Sequence, residues 1–557
     1  MPVKPYIQND DVLNFEFKVG SNSEGLESLL KEASVNFELN KIPTAKFTFV
    51  ASNTEVNKKE NLASDKLKEN EKITFNIFVN KEKKTLFEGI IKAVEKVQGD
   101  DAISIKIECK DAALALTMPI KISETNDKGF GDKLTDLVKS PLTIEKGLSD
   151  ICGSEKITHN SSTVPWDYIL SYLDSIGVML VVKNSKLSGL DVSKEAAAEK
   201  YSAENGINVF SFSGKVDESK KIKSVSVEVW DPSKQDFKKS DDSQPTSDKN
   251  TSERVIRLND SIYSEATIKR IVKATLKKSE LRIITGKVQT FGNIEAGIGD
   301  FIICNKVNDA IDNKKLLISA ELHTIENGSW RTEYSFGLQS EQNFADNANK
   351  QTANPQAQIG LTNLVSGLQI GVVLQIEEDP KKEFRIKVRI PTLAEKGSGV
   401  WARLATMNAS KEMGSFFIPN VNDEVILGCL GNNPDTPVIL GGLYSSAIKA
   451  PFEIKKENYI KAFVTKEGTK IILDDEKKVI ELSTKKGNKI LITDDKNGII
   501  LEDENKNKIV MNKDGISIES CKDLIFKAKG DIKIDSVNNK TKASGNMELK
   551  GSMIKLN

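Results

Sequence analysis

Histidine is nearly missing from this chain: two in 557 residues, His159 and His323. Catalytic triads, most zinc sites and most general bases draw on this residue, so its scarcity weakens each of those readings. Cysteine is sparse as well. Cys109, Cys152, Cys304, Cys429 and Cys521 are odd in number, far apart and form no C-x-x-C pair, which fits free thiols better than disulfides or a zinc site. Aromatic residues make up 6% of the chain against 38% hydrophobic, so the cores are expected to be aliphatic. Neither sign of charge dominates, because Lys plus Arg is 80 and Asp plus Glu is 80. That balance argues against a polyanion such as DNA as the main partner. No apolar run approaches the roughly 20 residues that span a bilayer. The opening MPVKPYIQNDDVLNF has no apolar stretch of signal-peptide kind. The expectation is a chain made in the cytoplasm, without a Sec signal or a transmembrane helix, and with no cofactor or metal site.

What is present is strand patterning over most of the length. Val35, Phe37 and Leu39 alternate with polar residues, as do Phe47 and Phe49, Ile103, Ile105 and Ile107, and Val225, Val227 and Val229. Two helices interrupt it. Trp166, Ile169, Leu170 and Leu173 share one helical face after Pro165, and Gly177 ends the run. Ser264 is an expected N-cap for a second helix with Ile268, Ile271, Val272 and Leu276 as its buried stripe. The polar tract from Lys238, KKSDDSQPTSDKNTSER, reads as a loop or linker. The Asn-, Gln- and Ala-rich tract from Ser340 reads as the main interdomain linker.

The last hundred or so residues repeat. Lys470-Ile471, Lys489-Ile490 and Lys508-Ile509 recur at a single spacing, and Ile480, Ile499 and Ile518 keep that spacing. Gly468 and Gly487 hold the register. Apolar and charged residues alternate between these anchors, so each unit is a short hairpin with one apolar face and no helix to cover it. One chain has nothing to lay over the Ile face, so the repeats predict a core shared between chains. The expected core residues are Ile471, Ile480, Ile490, Ile499, Ile509, Ile518, Ile532 and Ile534.

A compact β segment precedes the repeats. It contains GVVLQIEEDPKKEFRIKVRIP, then Trp401-Ala402-Arg403, then GSFFIPNVNDEVILGCLGNNPDTPVILGGLYS. About five short strands with Gly-rich turns suit a small OB-type barrel. The order G-x-V…DP…R-x-K-V-x-x-P…W-A-R…F-x-P-x-x-x-D-E-V-x-x-G…P-D-x-P-V-x-L-G-x-L-Y resembles the OB-fold domain of VgrG spike proteins of type VI secretion. It is equally similar to spikes of phage-tail-like extracellular contractile injection systems. KIPTAKFTF and TVPWDYILSYLDSIGVML look like the hub of that family, and GKVQTFGNIEAGIGD and HTIENGSWRTEYSFG like its second barrel. The Ile repeats and KAKGDIKID look like its triple-stranded β-helix. The sequence departs from the pattern at Asn422, where the family usually has Gly, and Val-Gly dipeptides are rare.

The resemblance implies a mainly β homotrimer: a hub of two β-barrels with a helical insert, an OB collar and a C-terminal triple-stranded β-helix. The expected boundaries are 1–120 for the first hub barrel, 121–205 for the α/β insert and 206–345 for the second barrel. A linker at 346–367, the OB domain at 368–447 and the needle at 448–557 complete them. It further implies a baseplate spike that caps the inner tube and punctures a target membrane on sheath contraction, exported or released with the particle. A PAAR-type tip protein would sit on Met553, Ile554, Leu556 and Asn557. Inner-tube and baseplate proteins would contact the hub, effector cargo could ride on the assembly, and membrane contact would be transient.

Two other classes are weaker. A cell-wall hydrolase would need a carboxyl pair in a cleft, with one member's pKa raised. Glu377-Glu378-Asp379 and Asp423-Glu424 sit in turns, where carboxylates usually bind backbone amides. Ser445 to about Lys461 also leaves no room for an inserted hydrolase. An OB-type nucleic-acid binder needs aromatic platforms in a basic groove. Phe384, Trp401, Phe416 and Phe417 are the candidates, with one of Phe416 and Phe417 expected in the core and an acidic turn beside Phe384. His323, alternating with Leu322 and Thr324, is expected to be packed or surface-bound rather than a metal ligand.

Overall fold

The computed structural model describes residues 14–20, 26–52, 67–79, 81–99, 102–118, 128–152, 155, 164–194, 199–244, 252–258, 263–339, 365, 367–393, 397–494 and 498–555. The chain divides into two compact units, Met1–Tyr444 and Ser445–Asn557. It is mainly β, with a closed five-stranded barrel in the first unit.

The alternating segments at the front of the chain become long strands. Leu30–Glu38, Thr44–Ser52 and Ala102–Lys110 lie side by side, with Val35, Phe37, Phe47, Phe49, Ile103, Ile105 and Ile107 all buried. Phe17 sits edge-on to Phe47 and Phe49, with ring centroids 4.8 and 5.2 Å apart. The two barrels expected from sequence share one twelve-stranded sheet. Its halves are joined where Leu30–Glu38 pairs with Lys315–Glu326, from Ala320↔Glu38 to Glu326↔Glu32. A single apolar cluster runs through both halves, including Phe37, Phe75, Val288, Trp330 and Phe336.

A second cluster is built on the helices. Pro165–Ser175 starts with Pro at its first turn and buries Trp166, Ile169, Leu170 and Leu173 as expected. Gly177 then takes φ +78°, and a Cβ there would lie 2.3 Å from that of Ala274. Glu265–Leu281 is capped by Ser264, whose Oγ accepts from the Thr267 N–H at 3.2 Å, and it buries Ile268, Ile271, Val272 and Leu276. The two helices are tied by Lys278, whose Nζ donates to the Asp174 carbonyl and to Asp174 Oδ1, the latter at 2.5 Å. This core reaches further along the chain than the 121–205 insert read from sequence, because Val225, Val227, Ile256 and Leu258 belong to it.

The polar tract from Lys238 is a correction. Its first six residues complete the strand Asp236–Ser243, antiparallel to Ile222–Asp231, and its last residues open the strand Ser252–Leu258. Asp236–Ser243 lies at a sheet edge and is exposed on both faces, so it carries charge where a central strand would alternate. The Asn- and Gln-rich linker lies outside the described residues apart from Val365 and Gly367.

The barrel orders its strands Leu368–Gln375, Ile386–Arg389, Val400–Leu404, Pro437–Gly442 and Glu424–Cys429 around a core of Val373, Ile386, Val388, Ala402, Val425, Leu427 and Ile439. Asn422, where the family pattern has Gly, takes φ +72°, a conformation Asn tolerates better than most side chains. At one end of the barrel, the Asp435 carboxylate lies near enough to Tyr168 and Tyr263 to add to the burial that raises their pKa values.

In the second unit, seven strands run as an antiparallel meander in chain order: Ile460–Val464, Lys470–Asp474, Val479–Ser483, Lys489–Thr493, Gly498–Glu502, Lys508–Asn512 and Gly515–Glu519. Gly498 opens one strand at φ +65°, where a Cβ would lie 2.4 Å from the Met511 carbonyl oxygen. The 19-residue spacing therefore reports two strands of one sheet.

Candidate functional site

The repeat sheet separates its faces by strand period. Cross-strand pairing aligns Phe463, Ile471, Leu482, Ile490, Leu501, Ile509 and Ile518 in one column. Leu473, Ile480, Ile492, Ile499, Met511 and Ile516 form a second column on the same face. Six of the eight expected core isoleucines thus share one face. Sequence spacing missed their alternating partners, which the antiparallel register supplies. The columns stay open to solvent: Ile480 is 42% exposed and Ile490 41%. A groove of ≈ 720 Å³ follows the first column, lined by Ile471, Leu482, Ile490, Leu501, Ile509 and Ile518, with Leu524 beside them. On the opposite face, Ile472, Glu481, Leu491, Ile500 and Val510 form a central row flanked by Lys470, Lys489, Glu502 and Lys508, and Ile500 is buried.

Past Glu519 the chain forms no strand up to Lys555, and every residue from Ser520 to Lys555 is exposed. Ile532 and Ile534, expected in the same core, lie in this segment and pair with nothing in their own chain's sheet. Met553 and Ile554 are exposed there too. Leu556 and Asn557 lie outside the described residues.

Of the barrel carboxylates singled out from sequence, Asp379 and Asp423 bind backbone amides. Asp379 accepts the N–H groups of Lys381, Glu383 and Arg385 at 3.0, 2.7 and 3.2 Å, and its Oδ1 accepts from Arg385 Nη2 at 2.6 Å. Burial pushes its pKa up, but the Arg385 guanidinium and these amides outweigh burial and hold it well below the usual carboxylate range. A general acid needs the opposite shift. Asp423 accepts the Asn420 N–H at 2.8 Å. Arg385 and Lys387 each lie over the Trp401 ring, at 6.0 and 5.8 Å from its centroid.

Phe416 and Phe417 correct the expectation that one of them is core. They lie outside any strand, 82% and 61% exposed, because the chain from Ala405 to Val421 leaves the barrel as a loop with its own short hairpin. Phe384, held at φ +56°, is 91% exposed. His323 is fully buried, 2.6 Å from Glu321 Oε1 and 3.0 Å from Thr332 Oγ1, so of the packed and surface placements left open by its strand it takes the packed one. His159 lies outside the described residues. All five cysteines are free. Burial pushes the Cys152 and Cys304 thiols up to about 12, away from reactive thiolates. Among the described residues there is no group of three or more side chains suited to hold a metal. Among them, no helix is long and apolar enough to cross a membrane.

A mainly β chain with an OB barrel followed by a repeat sheet defines the class of VgrG-type, phage-tail-like spike proteins, and comparison with known proteins agrees. Residues 369–444 match the type VI secretion system/phage-baseplate injector OB domain. Residues 9–327, more than half of the sequence, match the Alg8 N-terminal domain, and the chain belongs to that family. The spike protein VgrG1c of Pseudomonas aeruginosa is 34% identical over 77 residues, 14% of this chain and 10% of its own length. VgrG3 of Vibrio cholerae is 35% identical over 74 residues, 13% of this chain and 7% of its own. The matched stretch thus spans about a tenth or less of the length of these curated relatives. A chain of the lidded Francisella PdpA-VgrG complex aligns with TM-score 0.53 at 13% identity, covering 88% of this chain and 80% of that one. At that identity the likeness bears on fold alone.

Proposed function

We propose that this chain is the non-enzymatic central spike and hub of a contractile injection particle, working as a homotrimer. The observation that carries the reading is the segment 520–555, whose backbone has no strand partner within its own chain and whose apolar side chains stand in water. Backbone N–H and C=O groups and a row of Ile, Leu and Phe left this way call for pairing with further copies. The open columns ending in Ile518 call for the same. Three copies would close the sheets into a prism, leave few free edges and make a stiff needle. The three-fold number, the capping of an inner tube, membrane puncture on sheath contraction and a PAAR-type tip protein at Met553 and Ile554 follow from likeness to VgrG-type spikes.

Inner-tube and baseplate proteins would then meet the hub, and effector cargo would be carried by the assembly. The protein would stay in the cytoplasm until assembled and leave with the particle. Asp379 and Asp423 are tied to backbone amides in turns, which supports a mechanical role. Light scattering tests the proposal. A mass near three times 61.4 kDa is expected, and a folded monomer at micromolar concentration would refute it.

A further inference from the structure

A cavity of ≈ 420 Å³ opens in the first unit, lined by no residue of the barrel. It lies where the helical core meets the second half of the twelve-stranded sheet. Three stretches far apart in the chain build most of it. The end of strand Lys186–Asp191 and the residues after it supply Leu190, Asp191, Val192 and Lys194. The last turn of helix Glu265–Leu281 supplies Lys277, Glu280 and Leu281, which share one helical face at i, i+3 and i+4. Strands Phe301–Asn305 and Lys315–Glu326 supply Phe301 and Leu317, paired directly across the ladder, and Lys315 on the same side as Leu317.

Its chemistry is divided. The inner wall is apolar: Val192, Phe301 and Leu317 are buried, and Leu190 and Leu281 pack against the same cluster. The mouth is cationic, with Lys194, Lys277 and Lys315 set against Asp191 and Glu280. Both acids already have partners. Asp191 accepts from Arg270 Nη2 at 2.9 Å and from the Ser193 N–H and Oγ at 3.0 and 2.6 Å. Glu280 lies 2.6 Å from Lys277 Nζ, and Lys315 pairs with Glu199 at 3.4 Å. Lys194 has no acidic partner among the described residues. Arg270 also donates to the carbonyl of Ile151, another wall residue, and its buried Nε has no acceptor among the described residues. With Arg270 and Glu199 included, four cations face three anions, so positive charge is in excess at the mouth.

We infer that this cavity is a binding site for a small aliphatic carboxylate, with its chain against Leu190, Val192, Leu281, Phe301 and Leu317 and its headgroup at Lys194. Charge complementarity names the occupant. An apolar wall of this size takes an aliphatic chain out of water. A neutral headgroup would leave the excess charge unmatched, and a cationic one would meet Lys194 as a like charge. The site goes beyond the proposed spike and does not depend on it, since all of its residues lie in the first unit. Its walls come from both the helical core and the sheet, so a bound ligand ties the two together and stabilises the folded chain.

The test is calorimetric titration of the full chain with decanoate below its micelle concentration, with acetate and decylamine as comparison ligands. Lys194→Glu is the variant. Lys194 is exposed, so its replacement leaves the fold intact, which melting of the unliganded variant checks. The expected result is saturable binding of decanoate, weakened about tenfold or more by Lys194→Glu. Acetate is expected to give no signal and decylamine to bind more weakly than decanoate. Decanoate is expected to raise the melting temperature of the original chain more than that of the variant. The open columns of the repeat sheet could take up an aliphatic chain without regard to residue 194. Equal binding by the two proteins would place decanoate at such a surface and overturn the site. Decylamine binding as tightly as decanoate would overturn the headgroup at Lys194. No saturable binding of decanoate would overturn the inference outright. The mass from light scattering decides the spike separately.

Discussion

Lys278 and Asp174 make a buried ion pair between two helices, with side chains 8% and 0% exposed. Removing one partner strands the other charge away from water. Lys278→Met is therefore expected to cost about 3–5 kcal/mol of stability, measured by denaturant unfolding of the full chain. Asp379 works on the loop at the end of the barrel. Its pKa is lowered on folding, since Arg385 and three amides outweigh burial. Its contribution is thus complete above the ordinary carboxylate range near pH ~4 and is lost as the pH falls below it. Asp379→Asn is expected to lose about 1.5–3 kcal/mol at pH 7 and proportionally less at pH 3, read from barrel unfolding at both values. An equal loss at both would remove the charge from the explanation. Lys278 stands in a helix pattern and Asp379 in a turn that a sequence shows, but their partners lie 104 and 6 residues away, and only folding brings the distant one into place.

Elements with a strong period were legible. The Ser264 cap, the Pro165 start and the alternating strands of the front sheet all stand where the residues put them. The edge strand Asp236–Ser243 was not, because an edge exposed on both faces loses the period-2 signal. Nor was the exposure of Phe416 and Phe417, since an aromatic pair reads as strand unless the loop's own bracing is known. The repeat sheet allows a direct test. Ile490→Asp places a charge in the first apolar column of every copy. The oligomer is expected to lose several times the roughly 1.5–3 kcal/mol of one buried Ile, seen as dissociation in light scattering and a lower melting temperature. Lys466→Asp, in an exposed turn, is expected to change stability by no more than about 0.5 kcal/mol. Equal tolerance of both changes would mean that the columns face nothing.

At the scale of the molecule, the two units divide the work. Met1–Tyr444 holds three closed cores of its own, whereas Ser445–Asn557 among its described residues buries one large apolar side chain, Ile500. A variant ending at Tyr444 is therefore expected to keep its fold and lose the heat and detergent resistance of the full chain, measured by melting and by electrophoresis without boiling. Unchanged resistance would place that stability in the first unit.

The sequence by itself determined the class of fold, the order of its parts and the apolar face of the repeats, because period and turn chemistry are local and each residue carries its share of them. It also led to the expectation that this face is covered by other copies, since the repeats leave one side of each strand apolar. Tertiary structure decided the rest. It joined two expected barrels into one sheet through the pairing of Leu30–Glu38 with Lys315–Glu326. It drew Val225, Val227, Ile256 and Leu258 into the helical core, laid the repeats out as a meander and turned the 405–421 loop outward. The joined sheet and the enlarged helical core depend on contacts between segments far apart in the chain, which no local pattern encodes.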